Sequence, residues 1–348
     1  MVPLERSAAT TRLHYPTGLN ASQVLADRAI PRVQPAPALL SLPSQQVAGI
    51  DLLRIMAAVG IIWFHTEGAP HAQIAYAGLP MFLLVYFSLV TRQSRLHTTS
   101  QFLRRRWDRL LKPWLFWSAV YGVCRLVKAA YAMDASSIER ILSPETFLVG
   151  TWIHLWYLPY AFASGLLIHV LNRRTLRIND TLVVLAATLA SAFVLAACAV
   201  GLHAYELASP LPQWEFGLAA IPLGLAVGRS LAIPSRRVQM LLLSIICATT
   251  LATCAILTSV HLDSSAIPYG LAIMLVCLAY GWQVNGNAFI AAVAPLTFGI
   301  YLLHPLVMYG LPHFFAAQGH YAAFIALTAC ISGVVTWGLM QTPLRRFV

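Results

Sequence analysis

The amino-acid sequence predicts an all-α, polytopic membrane protein with about ten transmembrane helices. Three observations carry that prediction. Of 348 residues, 59% are hydrophobic and only 10% charged, with a mean hydropathy of +0.70. Soluble globular chains are roughly 45–50% apolar and about 25% charged, so one soluble core would not use this much apolar material. The apolar residues also fall into ten stretches, each close to the ~20 residues that cross a hydrocarbon layer. Finally, the basic residues segregate between alternate stretches.

The ten stretches lie near 49–66, 72–91, 114–133, 152–171, 181–203, 215–233, 238–260, 267–283, 292–311 and 321–340. The third carries Arg125 and Lys128, and the eighth is short. Arg92, Arg95, Arg104, Arg105, Arg106, Arg109 and Lys112 fall between the second and third. Arg173, Arg174 and Arg177 follow the fourth, Arg229, Arg236 and Arg237 mark the end of the sixth, and Arg345 and Arg346 follow the tenth. With ten spans all of these share one side. The opposite loops hold Glu67, Asp134, Glu139, Glu145, Glu206, Glu215 and Asp263, against Arg140 alone. The positive-inside rule then expects both termini in the cytoplasm. The net charge of +11 is a topology signal on this reading, not a nucleic-acid surface.

Residues 1–48 hold six prolines, four arginines and no apolar core. They are expected to form a flexible cytoplasmic tail ahead of a transmembrane domain over 49–348. Cys124, Cys198, Cys247, Cys254, Cys277 and Cys330 all sit in apolar stretches without a C-x-x-C pair. They are expected to pack as small hydrophobes, with neither a disulfide framework nor a metal site. The sequence lacks G-x-S-x-G, Walker, G-x-G-x-x-G and H-x-x-x-H patterns, which leaves histidine the best-suited group for proton transfer near neutral pH. "GLAVG" (Gly224 to Gly228) spaces two glycines for close helix packing.

Four segments could carry chemistry. In "LLRIMAAVGIIWFH", Arg54 and His65 are eleven residues apart, so on a helix both project from nearly one face, about 16 Å apart along the axis. Arg54 could instead pair with Asp51 or snorkel, and His65 could be an interfacial histidine; ionisable groups inside a span also line pathways. In "FLRRRWDRLLKPW", Arg105 and Arg106 pair with Arg109 at helical spacing. Contact with anionic lipid is the simpler local reading, and capture of a phosphate-bearing ligand is the functional one. "HLWYLP" (His154 to Pro159), preceded by Trp152, is either an aromatic belt or a platform for sugar rings. "FGIYLLHPLV" puts Tyr301 and His304 at i,i+3 within a span, for packing or for function.

These features, in this order, resemble acyltransferase family 3 of integral membrane proteins, over about residues 49–348. "GIDLLRIMAAVGIIWFH" resembles the family's R-x10-H signature, and "RRRWDRL" resembles its arginine pair after the second span. "HLWYL", "YLLHPL", "VGRSL" and "TPLRRFV" are similar to later family segments. In the second span Tyr86, Phe87 and Ser88 stand where the family often has Ser-Gly. Some members also carry a soluble SGNH domain at the C-terminal end. Here the chain runs only a few residues past the tenth stretch, so no soluble C-terminal domain is expected and the membrane domain would act alone or with a separate protein.

The resemblance implies transfer of an acyl group, acetyl in the first instance, from cytosolic acyl-CoA to a hydroxyl of an extracytoplasmic polysaccharide or lipid-linked oligosaccharide. It implies residence in a bacterial inner membrane, acetyl-CoA or another acyl-CoA as co-substrate with no permanently bound cofactor, and polysaccharide-assembly proteins as possible company. It gives His65 and Arg54 the catalytic roles and Arg105, Arg106 and Arg109 the acyl-CoA. His154, Trp156, Tyr301 and His304 would line the channel or contact the acceptor. His65, Ser88 and Tyr301 are the candidate carriers should a covalent acyl-enzyme form. A transporter or flippase of small anions or glycolipids is the competing reading, and an envelope scaffold or sensor a third.

Overall fold

The computed structural model describes residues 44–132, 143, 145–202, 209–261, 265–282, 285–315 and 317–348. The expected N-terminal tail up to residue 43 lies outside the described residues, as do Asp134, Glu139, Arg140, Glu206 and Asp263. Every regular element among the described residues is helical. The main ones are α1 (Ser44–His65), α2 (Gly78–Gln93), α3 (Thr99–Arg106), α4 (Lys112–Ala132), α5 (Tyr157–Arg174), α6 (Asp180–Leu202), α7 (Leu211–Leu218), α8 (Ala220–Ser230), α9 (Arg236–Ser259), α10 (Ala266–Gly281), α11 (Thr297–Gly310) and α12 (Tyr321–Met340).

Among the described residues, seven helical stretches are long and apolar enough to cross a membrane: Ala48–His65, Ala72–Gln93, Ile153–Arg174, Asp180–Val200, Arg236–Ser259, Ala288–His313 and Tyr321–Met340. The other three expected spans are helical but depart from the simple pattern. The third, α4, carries Arg125 and Lys128. The sixth is broken at Ala219 into α7 and α8, and the eighth, α10, has only 16 residues. Large apolar side chains such as Leu182, Phe193, Leu241, Ile256 and Val334 point outward from the helices, as expected of faces that meet lipid rather than water.

The helix α2 is central: it packs on α1, α5, α8 and α10. Lipid tails are as apolar as leucine, so helices in a bilayer associate by close packing and internal hydrogen bonds rather than by hydrophobic exclusion. The glycines of "GLAVG" face α2, as their spacing predicts. Gly224 lies against Phe87, and a Cβ on Gly228 would stand 2.5 Å from Thr91 Cβ and 2.7 Å from the Ser88 carbonyl oxygen.

Most of the basic residues lie in or beside the turns that follow α2, α5 and α8, whereas Arg125 and Lys128 of α4 lie over the Trp152 and Tyr309 rings. Arg229, with no exposed surface, donates to the Asp180 carboxylate, to the Asn172 carbonyl at 3.0 Å and to Thr175 Oγ1 at 2.6 Å. Arg95 reaches the same Asp180 at 2.6 Å. Asp180, at the start of α6, therefore ties α8 to the turn after α2, and the Arg229 guanidinium ties both to the end of α5. Asn172 adds a bond to the Thr91 carbonyl at 2.8 Å.

The α2–α8 contact makes a specific prediction. Gly228→Ala should cost about 1–3 kcal/mol by overpacking and lower the melting temperature of detergent-solubilised protein. Gly310→Ala, with nothing within 4 Å of the new methyl, should leave it unchanged. Equal melting of the two variants would show that the close approach contributes nothing.

Candidate active site

Helix α1 forms a wall of two cavities with different chemistry. Arg54 lines one of about 700 Å³ and His65 the other, of about 730 Å³. Both volumes fall in the range of small-molecule sites. The eleven-residue spacing works as the helix geometry requires, because α1 runs unbroken from Ser44 to His65. Arg54 makes the expected i,i+3 pair with Asp51, Nη1 to Oδ1 3.1 Å, and still faces the cavity.

The first cavity is cationic. Arg54, Arg106, Arg109, Arg345 and Arg346 line it. Its two acids are already engaged, Asp51 by Arg54 and Asp108 by Lys112 at 2.6 Å. Arg106 is held rigidly. It donates to Gln93 Oε1 at 2.6 Å, and its guanidinium lies over the rings of Tyr86 and Phe102 at 5.1 and 5.2 Å. Arg109 extends into the open.

A local backbone feature sets these two arginines. Thr98 and Gln101 form a capping box that starts α3. Residues Trp107–Leu111 then make a π-helical turn, with the Lys112 N–H bonded to the Trp107 carbonyl. Pro113 has no N–H to give the carbonyl of Arg109 four residues back, and the wider turn absorbs that loss without ending the helix. Sequence reading assumed ordinary α spacing here and missed the turn, for which Pro113 was the visible signal.

Arg105, grouped with this pair in the sequence, turns elsewhere. It contacts His97 Nε2 at 2.7 Å and does not line the cavity. Partial burial, then the Arg105 and Arg106 charges, hold the His97 imidazole below its ordinary pKa, so the neutral ring accepts from Arg105.

The second cavity gathers histidines from three distant segments. The His65 and His304 rings stack 5.5 Å apart, and His154 meets His304 edge-on at 5.7 Å. All three line the cavity, with Glu67, Trp152, Tyr309 and Gln318 around them. His304 Nδ1 lies 2.7 Å from the Tyr301 carbonyl oxygen. A carbonyl only accepts, so Nδ1 carries the proton, and the neutral ring presents its lone pair at Nε2. His154 is 5% exposed, and neither of its ring nitrogens makes a well-formed hydrogen bond. Among the described residues no group of three His, Cys, Asp or Glu side chains is spaced to hold a metal ion.

Tyr301 stands between the cavities. It lines the cationic one, and its hydroxyl donates to the carbonyl of His154 in the other. Tyr157 packs 5.5 Å from it on the cationic side. Two expected residues fall elsewhere. Trp156 is buried against Tyr157 and Tyr160 and lines neither cavity. Ser88 has no exposed surface; its hydroxyl bonds the Val85 carbonyl and Tyr280 Oη at 2.9 and 2.8 Å, away from both. Arg345 and Arg346, which the sequence offered as topology markers within the closing "TPLRRFV" and gave no site role, belong to the cationic wall.

No curated protein and no solved structure matches this chain. A family described as an acyltransferase domain matches residues 47–340, which include most of α1, the three histidines of the second cavity and Arg54, Arg106 and Arg109. Matched along nearly its whole length and built from apolar helices around those residues, the chain belongs to this family of membrane acyltransferases.

Proposed function

We propose that this chain moves an acyl group, most simply acetyl, from cytosolic acyl-CoA to a hydroxyl of an extracytoplasmic polysaccharide or lipid-linked oligosaccharide. The observation that carries the reading is the pair of cavities along α1, arginine-rich at one end and histidine-rich at the other. The basic end is the cytoplasmic one by the positive-inside rule. The described chain begins and ends there, since Ile50 and Val348 both line the cationic cavity.

A donor with several phosphates fits the cationic cavity, because guanidinium forks suit phosphate oxygens. Its uncharged thioester arm points inward along Tyr157 toward Tyr301. The acceptor hydroxyl enters from the histidine side, where Trp152 and Tyr309, with Arg125 and Lys128 over their rings, line the cavity. His65 takes the hydroxyl proton as the oxygen attacks the thioester carbonyl. The C–O bond forms, the C–S bond breaks, and CoA leaves as a thiolate that regains a proton. Nδ1–H of His304 is committed to the Tyr301 carbonyl, so its Nε2 is a second acceptor beside His65. General base catalysis of this kind contributes about 10²–10⁴-fold.

Two outcomes follow. His65→Ala should lower acyl transfer by about 10²-fold or more with unchanged protein level, read as loss of acyl signals in NMR spectra of the polymer. Undiminished acylation would remove His65 from the chemistry. Arg106→Ala with Arg109→Ala should weaken acyl-CoA binding by about tenfold or more, measured by titration of purified protein. If activity falls while binding holds, the pair is structural. Flux of an unmodified substrate without consumption of acyl-CoA would replace the enzyme reading by a transporter.

A further inference from the structure

The cationic cavity has a wall from the far end of the chain. After α12, Thr342 Oγ1 accepts from the Leu344 N–H at 3.1 Å and starts a short 3-10 turn, Pro343–Phe347. That turn is fastened to α4 by two aromatic side chains. The Phe347 ring lies flat on Phe116, with centroids 4.3 Å apart and planes 6° apart, and its carbonyl accepts from Trp117 Nε1 at 2.9 Å. The Arg346 guanidinium rests over the Phe347 ring at 4.9 Å. Arg345 and Arg346 thereby stand on the same cavity as Arg54, Arg106 and Arg109.

These two arginines are open, and neither makes an ion pair among the described residues. The cavity's acids cannot serve them, being bound to Arg54 and Lys112. An anchored segment that presents two unspent guanidiniums at a cavity mouth, beside three more, is arranged for a polyanion. Deeper in, the lining turns apolar and aromatic, with Phe82, Val85, Tyr157 and Phe298. The shape of charge is that of a ligand with a phosphate-rich head and an uncharged arm.

We propose that Arg345 and Arg346, held in place by Phe347, bind the phosphates of the acyl donor and close one side of its cavity. This assignment rests on the donor reading above and extends it to residues beyond the matched 47–340. Lipid headgroups also offer phosphate, and the test separates the two sources.

The experiment uses the 348-residue chain in nanodiscs of phosphatidylcholine, titrated with CoA. Arg345→Ala/Arg346→Ala should raise the Kd for CoA by about tenfold or more, with an unchanged melting temperature. Arg345→Lys/Arg346→Lys should lose less, because charge is kept and only the fork geometry is lost. Phe347→Ala, which keeps both charges and frees the turn, should also weaken CoA. Equal CoA affinity in wild type and the double alanine variant would overturn the assignment. So would loss of bound phosphatidylglycerol by that variant, in discs containing this lipid, with CoA affinity intact: the arginines would then read headgroups. If wild-type protein binds no CoA at all, the donor reading fails, and this assignment with it.

Discussion

A charge inside a membrane-spanning bundle must be held by the protein itself, because hydrocarbon offers it nothing. Arg229 shows how this chain meets that constraint. Its guanidinium has no exposed surface, yet a carboxylate, a carbonyl and a hydroxyl from two other helices and their flanking turn receive it. Pairs of this sort add little net stability over a well-packed apolar core, since desolvation consumes the attraction, but breaking one leaves an uncompensated buried charge. The Asp180 junction is thus better understood as a registry device. It fixes where α5, α6 and α8 end relative to one another. The rigid α2–α8 contact at Gly224 and Gly228 continues from there.

The cavity arginines obey the opposite logic. Arg109, Arg345 and Arg346 are exposed, so water supplies what Asp180 supplies to Arg229. Nothing in the fold needs their charge neutralised. Arg54 is paired with Asp51, but Arg106 is held through Gln93 and two aromatic faces and not through an acid. That choice fixes the position of the guanidinium and leaves its charge available to a ligand. A carboxylate partner would have fixed the position equally well and cancelled the charge.

How much of this was legible in the sequence depended on whether a feature was local. Arg54 and His65 sit on one unbroken helix, so angular arithmetic alone placed them at two depths of one face. The glycine pair of α8 was legible for the same reason. The grouping of Arg105 with Arg106 and Arg109 was not, because the π-helical turn at Trp107–Leu111 changes the angular register and His97 draws Arg105 aside. The tenfold count of spans failed to anticipate the break at Ala219, where apolar composition runs on uninterrupted. Non-local features were invisible in principle. His154 and His304 each stood out alone, but their meeting with His65 is a product of packing between segments up to 239 positions apart in the numbering. The return of Phe347 onto Phe116 and Trp117 is the same case, and it converts two apparent topology markers into wall residues.

The division between the cavities also has a chemical rationale. A continuous wet pore through the bundle would leak ions. Tyr301 stands where the two cavities approach each other. Its hydroxyl is spent on the His154 carbonyl, so it closes the wall without leaving an orphaned polar group. Its own carbonyl orients His304. The residue that separates the two compartments therefore also sets which nitrogen of a neighbouring histidine is free. Any displacement of Tyr301 would disturb both bonds together. The bond to the His154 carbonyl and the free nitrogen of His304 therefore depend on the same turn of helix.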